Sequence, residues 1–430
     1  MKILVDGYNI GMPQGTGIKG YGLTLLDALE GLGHETSCLF DRPVGPNLSP
    51  EKRLEAFSQP HIPIDHGLDK LPWPMGGIIA RYRRARHRLA WMMAGDNKAI
   101  AVDLSQATEP VFSEGPHGMV YTVPSLWDRA HHNDRTGQSP IEVETDTKFD
   151  AFHLTTPVHM RVKNTPMVLT VHDTIPFSLP GSTTENLDKL RVRFQSALDA
   201  ASLVATVSEH TRSDVLSLFD VDPDKVMNTY QPVLMQPLSP EEQAGLGARL
   251  AKAGPGLSAQ GYLLFVGAIE PKKNLGRLVE AYRKVDPDLP LVVVGRLGWM
   301  YDDVVAAMKA AGTKVIHLPY VDRSVLRDVI AGARAMFFPS LYEGFGLPVI
   351  EAMVLGTPVV TSNTTSLGEV AGEAALTVDP LSVDAIAEAL DAIVTSEAEC
   401  ARLSEAGQTR AQEFSMGRYQ ERLKALYDRL

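Results

Sequence analysis

Short apolar runs alternate with a helical spacing of apolar residues at the start of the chain. Residues 3–5 are apolar, apolar side chains recur every three or four positions over 21–32, and 34–40 ends in Cys-Leu-Phe. The short segments fit buried strands, and the spacing fits a helix packed on them. Gly33 can end that helix. The pattern predicts a strand, a loop over 7–17, a helix and a second strand, as in a parallel sheet flanked by helices.

The pattern weakens after this unit and then returns. Periodicity is patchy over 42–150, where Pro, Gly and His are frequent, and we expect loops and helices inserted into the first domain there. Further strands are predicted over 167–172 and 203–208, with a helix over 185–200 between them.

A second alternation of strands and helices begins near residue 262. It predicts strands over 262–266, 291–294, 314–318, 335–338 and 358–361, with helices over 275–284 and 324–331. A stretch rich in Pro, Gly, Ala and Glu precedes it and predicts a linker carrying one helix. We therefore expect a first Rossmann-like domain over 1–235, a linker over 236–260 and a second Rossmann-like domain over 261–413. The ligand crevices of such sheets lie at the carboxyl ends of their strands, so two facing sheets form one cleft suited to a two-substrate transfer.

Composition narrows the class of protein. The chain has 430 residues, too many for one ordinary core, and its 44% hydrophobic and 22% charged residues are typical of globular proteins. A net charge of −11 argues against general nucleic-acid binding. No apolar run of about 18 residues occurs, so we expect no transmembrane helix. The first residues read as a strand rather than a secretory signal. Cys38 and Cys400 form no disulfide framework, which favours a reducing cytoplasm.

Residues 340–351, Ser-Leu-Tyr-Glu-Gly-Phe-Gly-Leu-Pro-Val-Ile-Glu, carry the strongest chemical pattern. Two glycines let the backbone approach a ligand, and Pro348 fits the first turn of a helix. The free amides and dipole at a helix start favour anions and hydroxyl oxygens. Glu343 and Glu351 could therefore hold different parts of one ligand. The alternative is a strand-to-helix turn with a cap and one exposed glutamate.

This block resembles the signature of the family four glycosyltransferases, retaining enzymes of the GT-B fold, in which two glutamates separated by seven residues enclose Gly-Phe-Gly-Leu-Pro. The resemblance covers most of the chain and comes closest to bacterial mannosyltransferases of surface-polysaccharide assembly. It implies an α/β fold with two Rossmann-like domains facing across a deep cleft, and a last helix over 414–430 that crosses back to the first domain. Further matching segments lie at 15–17, 171–173, 207–209, 266–267, 270–275 and 351–360.

The resemblance also implies roles for individual residues. It places Glu343 and His172 at the donor sugar, Glu351 at the ribose and Lys273 at the diphosphate, where a cation stabilises charge that develops as the group leaves. Many relatives carry a second cation where this chain has Ala268, so stabilisation could rest more on Lys273, on Arg296 or on helix amides. The implied catalytic residues are His172, Lys273 and Glu343, and the implied donor-binding residues are Gly15, Gly17, Phe345, Gly346, Leu347 and Glu351. His131, His132, His153 and His159 have no comparable context and are interpreted as ordinary polar positions.

Transfer of a hexose to a saccharide or lipid-linked saccharide acceptor is the activity that the resemblance implies. It favours mannose from GDP-mannose and a place in bacterial surface-polysaccharide or lipopolysaccharide synthesis. We expect no metal site, because no cluster has ligand spacing, and no cofactor, because the nucleotide sugar is a substrate. The alternatives are an inactive nucleotide-sugar-binding subunit of an assembly complex, or another GT-B enzyme such as an epimerase or phosphorylase.

A basic segment at 81–88 stands out from the acidic background. It has five arginines among eight residues, beside Ile, Leu, Trp and Met. This composition is typical of a helix at an anionic membrane surface, and it could also hold the diphosphate of a lipid-linked acceptor. The alternative is a solvated helix face. We expect a cytoplasmic protein that binds the inner face of the cytoplasmic membrane peripherally through Arg81, Arg83, Arg84, Arg86 and Arg88.

Overall fold

Two parallel sheets flanked by helices organise the chain. The computed structural model describes residues 1–12, 17–59, 97–183, 185–254, 256–319 and 321–430. Within these ranges the first half forms an eight-stranded sheet and the second half a six-stranded sheet. Two further short strands of the first half, Ile141–Val143 and Met160–Val162, pair with each other in a separate small sheet. No helix of the described ranges is both long and apolar enough to cross a bilayer.

The ten strands of the described part of this half are β1 Lys2–Asp6, β2 Glu35–Phe40, β3 Ile100–Asp103, β4 Met119–Thr122, β5 Ile141–Val143, β6 Ala151–Leu154, β7 Met160–Val162, β8 Met167–Val171, β9 Leu203–Thr206 and β10 Val226–Asn228. The first sheet has the strand order β10-β9-β8-β6-β1-β2-β4-β3, and among these strands only β3 and β4 pair in antiparallel fashion. The helices are Gly17–Gly31, Pro50–Ser58, Leu126–Thr136, Ile175–Ser178, Leu187–Ala200 and Glu209–Leu218.

The strands of the second sheet are β11 Leu263–Val266, β12 Leu291–Val294, β13 Val315–Leu318, β14 Ala335–Phe338, β15 Val359–Ser362 and β16 Leu376–Val378. Their order is β13-β12-β11-β14-β15-β16, and all of them pair in parallel. The helices around it are Pro240–Ala244, Leu246–Ala253, Leu275–Val285, Asp302–Ala310, Arg323–Ala331, Leu347–Val354, Thr365–Ala371, Val383–Thr395, Glu397–Ala411 and Met416–Tyr427.

The region 42–150 departs from the expectation of loops and helices. It contributes β3 and β4 to the main sheet, with β4 parallel to β2. β6, which follows it, lies between β1 and β8 at the centre of the sheet, and all four of its residues are buried. The apolar pattern misses β6 because the strand is only four residues long and includes a histidine.

His153, in β6, is not the ordinary polar position that the sequence predicts. Its side chain is fully buried, with Nδ1 2.6 Å from the Tyr427 hydroxyl and Nε2 2.7 Å from Thr170 Oγ1. Burial lowers the pKa of His153 to about 3, so the ring is neutral at physiological pH. The interpretation fails because the partners that satisfy this ring come from distant parts of the chain.

The segment between the sheets carries two helices, Pro240–Ala244 and Leu246–Ala253, where one was predicted. Leu246 and Leu250 are buried, and Arg249 forms a bidentate pair with Asp328, both N–O distances being 2.8 Å. Such paired bonds fix geometry as well as charge. The segment is therefore packed on the second sheet's helices rather than free.

The C-terminal helix, Met416–Tyr427, lies against the first half of the chain. Tyr419, Leu423 and Tyr427 are buried. The Tyr419 hydroxyl donates to the Tyr21 hydroxyl at 3.1 Å, and Gln420 donates to the Ala28 carbonyl at 3.3 Å. The chain thus returns to the first sheet after completing the second, and this helix belongs to both halves.

Candidate functional site

The loop 340–346 connects β14 to the helix Leu347–Val354 and carries the two glycines of the signature, Gly344 and Gly346. Its last residue, Gly346, has a φ of 99° and precedes the helix directly. A Cβ there would lie 2.5 Å from Leu367 Cδ2, the end of a side chain that can shift, so it is the backbone conformation that requires glycine. Pro348 stands in the first turn, where its missing N–H costs nothing.

The same loop touches the edge of the first sheet. A Cβ on Gly344 would lie 2.1 Å from the His172 carbonyl oxygen. Ser208 Oγ donates to the Gly344 carbonyl at 2.8 Å, and Thr211 Oγ1 approaches it at 3.2 Å. The glycine therefore allows a backbone-to-backbone approach between the two halves of the chain.

Side chains on either side of Gly344 reinforce this contact. The Tyr342 hydroxyl lies 3.0 Å from Thr174 Oγ1 and also donates to Asp214. The carboxylate of Glu369 accepts from the backbone amides of Glu209 and His210, at 2.8 and 2.9 Å. Those amides begin the helix Glu209–Leu218, where a negative charge is stabilising. The loop and the helix Thr365–Ala371, which contains Glu369, are consequently both fixed against the first half of the chain by hydrogen bonds.

Glu343 and Lys273 form an ion pair at the base of this contact. Lys273 Nζ lies 2.5 Å from Glu343 Oε1, and the two side chains are only 15% and 11% exposed. Lys273 Nζ also lies 5.0 Å from the centre of the Phe338 ring. Asn274, with a φ of 59°, holds the turn after Lys273 by donating to the Pro339 and Pro380 carbonyls. The pair is therefore rigid and largely removed from water.

His172 follows β8 and borders the same cavity as Glu343. Its Nε2 lies 3.0 Å from the Thr155 carbonyl oxygen, which can only accept. Nε2 therefore carries the hydrogen, and Nδ1 keeps a lone pair for a ligand hydroxyl. Burial lowers the pKa of His172 to about 4, so the ring is neutral at pH 7. The Tyr21 ring stands edge-on to the imidazole, with centroids 4.6 Å apart.

Asp173 adds a second carboxylate beside the pair. Burial raises the pKa of Asp173, while the Ile175 amide, at 3.1 Å, and the charges of Lys272 and Lys273 oppose that shift. The sequence did not single out Lys272, although the Lys-Lys doublet was visible in it. Lys272 lines the cleft directly, whereas Lys273 reaches it through Glu343.

Two adjoining cavities in this cleft bring most of the predicted residues together. The larger has a volume of about 310 Å³ and the smaller about 120 Å³, and both are bordered by Gly17, Gln231 and Leu347. The predicted residues in the larger cavity are Gly17, His172, Glu343, Phe345, Gly346 and Leu347, and those in the smaller are Gly17, Leu347 and Glu351.

Glu351 lies in the smaller cavity with Arg323, a cation that the sequence did not single out. Burial raises the pKa of the Glu351 carboxyl, and the charge of Arg323 opposes this shift. Arg296, in contrast, is exposed and borders neither of these two cavities. Gly15 and the arginines of 81–88 lie outside the described residues. Among those described, no group of three or more His, Cys, Asp and Glu side chains is arranged to hold a metal ion.

A separate cavity of about 440 Å³ opens at the carboxyl ends of β1 and β2. Aromatic rings form part of its wall, with Tyr8 edge-on to Trp127 at 5.5 Å and to His131 at 5.8 Å. Its polar lining includes the carboxylates Asp41, Asp128, Asp134 and Glu185 and the cations Arg42, Lys189 and Arg193.

Comparison with known proteins identifies the second half. Residues 253–410 match the family model "Glycosyl transferases group 1". The O-antigen chain mannosyltransferase B of Escherichia coli is 39% identical over 233 residues, which are 51% of this chain and 58% of that protein. The O-antigen chain mannosyltransferase RfbU of Salmonella typhimurium is 28% identical over 217 residues, 49% of this chain and 56% of that protein. These alignments thus span little more than half the length of the relatives.

Solved structures extend the likeness to the whole fold. A sucrose-phosphate synthase from Thermosynechococcus elongatus has a TM-score of 0.65 at 16% identity, covering 100% of this chain and 98% of its own. HepE of Anabaena, in complex with UDP and glucose, has a TM-score of 0.62 at 16% identity and covers 100% of both chains. The family resemblance and the fold class predicted from the sequence are confirmed. Residues 253–410 are a glycosyl transferases group 1 domain, and the chain that contains them has the GT-B fold.

Proposed function

We propose that this protein is a retaining glycosyltransferase that moves a hexose from a nucleotide sugar to a saccharide or lipid-linked saccharide acceptor in bacterial surface-polysaccharide synthesis. The observation that carries the proposal is the largely buried Lys273–Glu343 pair, whose carboxylate borders the same cavity as His172. The glycosyl transferases group 1 domain and the likeness to O-antigen mannosyltransferases support it.

Each element of the cleft can take one part of the donor. The sugar would lie between Glu343, which accepts from its hydroxyls, and Nδ1 of His172. The diphosphate would draw the ammonium of Lys273 and the amides at the start of the helix Leu347–Val354. The ribose would occupy the smaller cavity at Glu351. When the bond from sugar to phosphate breaks, charge grows on the phosphate, and a fixed cation stabilises that charge most in the transition state.

The 440 Å³ cavity at β1 and β2 supports a saccharide acceptor. Aromatic faces pack against the apolar faces of sugar rings, and carboxylates accept from sugar hydroxyls. β1 and β2 lie two and three strands from β8, which His172 follows. At about 4.8 Å per strand the cavity is roughly 10–14 Å from His172 along the sheet edge. Such a distance fits an acceptor longer than one sugar.

Transfer with retention is the expected result of the direct test. An α-linked donor should give an α-linked product, without a covalent sugar on Glu343, because a carboxylate already paired with Lys273 is a weak nucleophile. A thermal-shift screen of nucleotide sugars comes first, since a ligand that binds only the folded state raises the melting temperature. We propose GDP-mannose as the donor, because the relatives named above are mannosyltransferases.

Turnover of the stabilising donor with a saccharide acceptor is then followed by NMR of the product, with and without EDTA. We propose that no metal or cofactor is needed, so the rate in EDTA should equal the rate without it. A β-linked product would contradict retention. A loss of activity in EDTA that Mg²⁺ or Mn²⁺ restores would contradict metal independence. Donor binding without turnover on any acceptor would point to an inactive sugar-nucleotide-binding subunit instead.

We also propose, from the sequence alone, that the arginines of 81–88 bind an anionic membrane surface on the cytoplasmic side. Each basic residue near such a surface contributes about 1 kcal/mol, and screening limits repulsion from the net charge of −11 to about 8 Å. Co-sedimentation with liposomes should require anionic lipid and weaken with salt. Changing Arg83, Arg84 and Arg86 to Ser should abolish it while sparing activity on a short soluble acceptor. Unchanged binding of the triple variant would leave the segment as a solvated face.

A further inference from the structure

Tyr21 lies directly beneath His172 in the floor of the cleft. It belongs to the helix Gly17–Gly31 and is 3% exposed. Its ring meets the imidazole edge-on, with centroids 4.6 Å apart and planes at 89°. This is a favourable aromatic geometry, and it blocks rotation of the imidazole toward the helix. With Nε2 held by the Thr155 carbonyl, the ring is fixed on two sides.

The hydroxyl of Tyr21 is part of a buried chain of hydrogen bonds. Tyr419 donates to it at 3.1 Å, and it lies 3.0 Å from Thr170 Oγ1. Because Tyr419 donates, the Tyr21 proton points to Thr170, the Thr170 proton to His153 Nε2, and the His153 Nδ1 proton to Tyr427. Each of the three residues between Tyr419 and Tyr427 then accepts one bond and donates the next, an arrangement that strengthens all its members.

Both ends of this chain of hydrogen bonds reach the C-terminal helix, through Tyr419 and Tyr427. Its centre is Thr170 in β8, two residues before His172. Positions two apart in a strand point to the same face, so Thr170 and His172 both face Tyr21. The C-terminal helix follows the second domain in the chain. Through Tyr419 this helix holds Tyr21, whose ring packs against His172.

We propose that Tyr21 is a positioning residue for His172, and that the C-terminal helix keeps Tyr21 in place through Tyr419. This inference rests on the proposed function in that His172 is taken to accept a hydroxyl of the donor sugar. Tyr21 would act through the imidazole that its ring contacts, and it also borders the smaller cavity proposed for the ribose. The Tyr21 ring keeps His172 Nδ1 directed into the cleft. The hydrogen bonds of the Tyr21 hydroxyl keep the Tyr21 ring from shifting along the helix Gly17–Gly31.

The test compares Tyr21→Leu, Tyr21→Phe and Tyr419→Phe. Tyr21→Leu removes the ring, and we expect kcat to fall on the order of 10- to 100-fold, since a small misplacement of a catalytic contact has effects of this size. The KM for the donor should change less. Tyr21→Phe keeps the ring, so its kcat should be much closer to that of the parent. The kcat of Tyr419→Phe should lie between those of the parent and Tyr21→Leu.

NMR titration of isotope-labelled histidine gives a readout independent of activity. The His172 signal is assigned with His172→Gln. In Tyr21→Leu the pKa of His172 should rise from about 4 toward the ordinary value of 6.5, because water reaches the exposed ring edge. An unmoved His172 titration together with parental kcat in Tyr21→Leu would overturn the proposal. If the titration moves but His172→Gln is fully active, the positioning stands and the proposed role of His172 at the donor fails.

Tyr282→Phe is the matched control. Tyr282 is also buried, and its hydroxyl donates to the Leu289 carbonyl at 2.9 Å in the second domain. The Tyr282→Phe variant loses one buried hydrogen bond, and residue 282 does not border either cavity of the cleft. Melting temperatures of all variants establish that each is folded. A fall in kcat for Tyr282→Phe as large as that for Tyr419→Phe would show that lost stability, rather than positioning, lowers the rate.

Discussion

Glu343→Ala and Lys273→Ala should each lower kcat by about 10²–10³-fold, the usual cost of removing one preorganised electrostatic contact. Each change also leaves the other charge buried without its partner, which destabilises a fold more than removing both. The double variant should therefore melt at a higher temperature than either single variant while remaining as inactive. This pattern separates the catalytic role of the pair from its structural one.

Glu351 offers a contrast within the same cleft. A ribose contact is made equally in the ground and transition states, so Glu351→Ala should raise the KM for the donor and leave kcat nearly unchanged.

Lys284→Ala is the matched control for Lys273→Ala and should leave kcat unchanged. Lys284 pairs with Asp384 at the same 2.5 Å, but the side chains are 58% and 72% exposed, and exposed pairs contribute little. Small and equal effects of Glu343→Ala, Lys273→Ala and Glu351→Ala would contradict these assignments.

Gly344→Ala should reduce kcat/KM on the order of 100-fold, through the backbone alone. The added Cβ would lie 2.1 Å from the His172 carbonyl oxygen, and a backbone atom cannot rotate away as a side chain can. The loop would have to retreat, which breaks the Ser208 hydrogen bond to the Gly344 carbonyl and carries Glu343 away from His172. A displacement near 1 Å is enough for an effect of this size.

Steady-state kinetics and melting temperature check this prediction, with Gly247→Ala as its control. A Cβ at Gly247 meets nothing within 4 Å, and the residue lies in the helix Leu246–Ala253. That change should leave activity intact and stabilise the fold by roughly 0.5–1 kcal/mol, because alanine suits a helix better than glycine. Parental activity in Gly344→Ala would show that the close approach of the two halves is not needed.

Local pattern located four of the eight described strands of the first sheet and five of the six of the second, because buried parallel strands are apolar along their whole length. Predicted strands at 203–208 and 262–266 correspond to β9 and β11, within one or two residues at each end. β6 escaped detection because His153 can be buried only with Thr170 and Tyr427 beside it. β3 and β4 were missed for a related reason: they are short, and one pairs in antiparallel fashion at the sheet edge.

The sequence by itself determined the α/β class, the family of the second half and the identity of the residues at its signature loop. The spacing of Glu343 and Glu351, the glycines between them and Pro348 act within a few residues of one another, so they can be recognised along the chain. The placement of Glu351 in one cavity with Arg323 could not be recognised in that way.

Only the tertiary structure decided which groups meet. Lys273 and Glu343 are 70 positions apart, and Tyr21 and Tyr419 are 398 positions apart. Local hydrophobic spacing predicts whether a residue is buried but not which distant residue it meets, because that depends on strand order and on the path of the last helix. Burial lowers the pKa of His172, so its ring is neutral. The fold also pairs Lys273 with the Glu343 carboxylate and places Tyr21 between the C-terminal helix and His172.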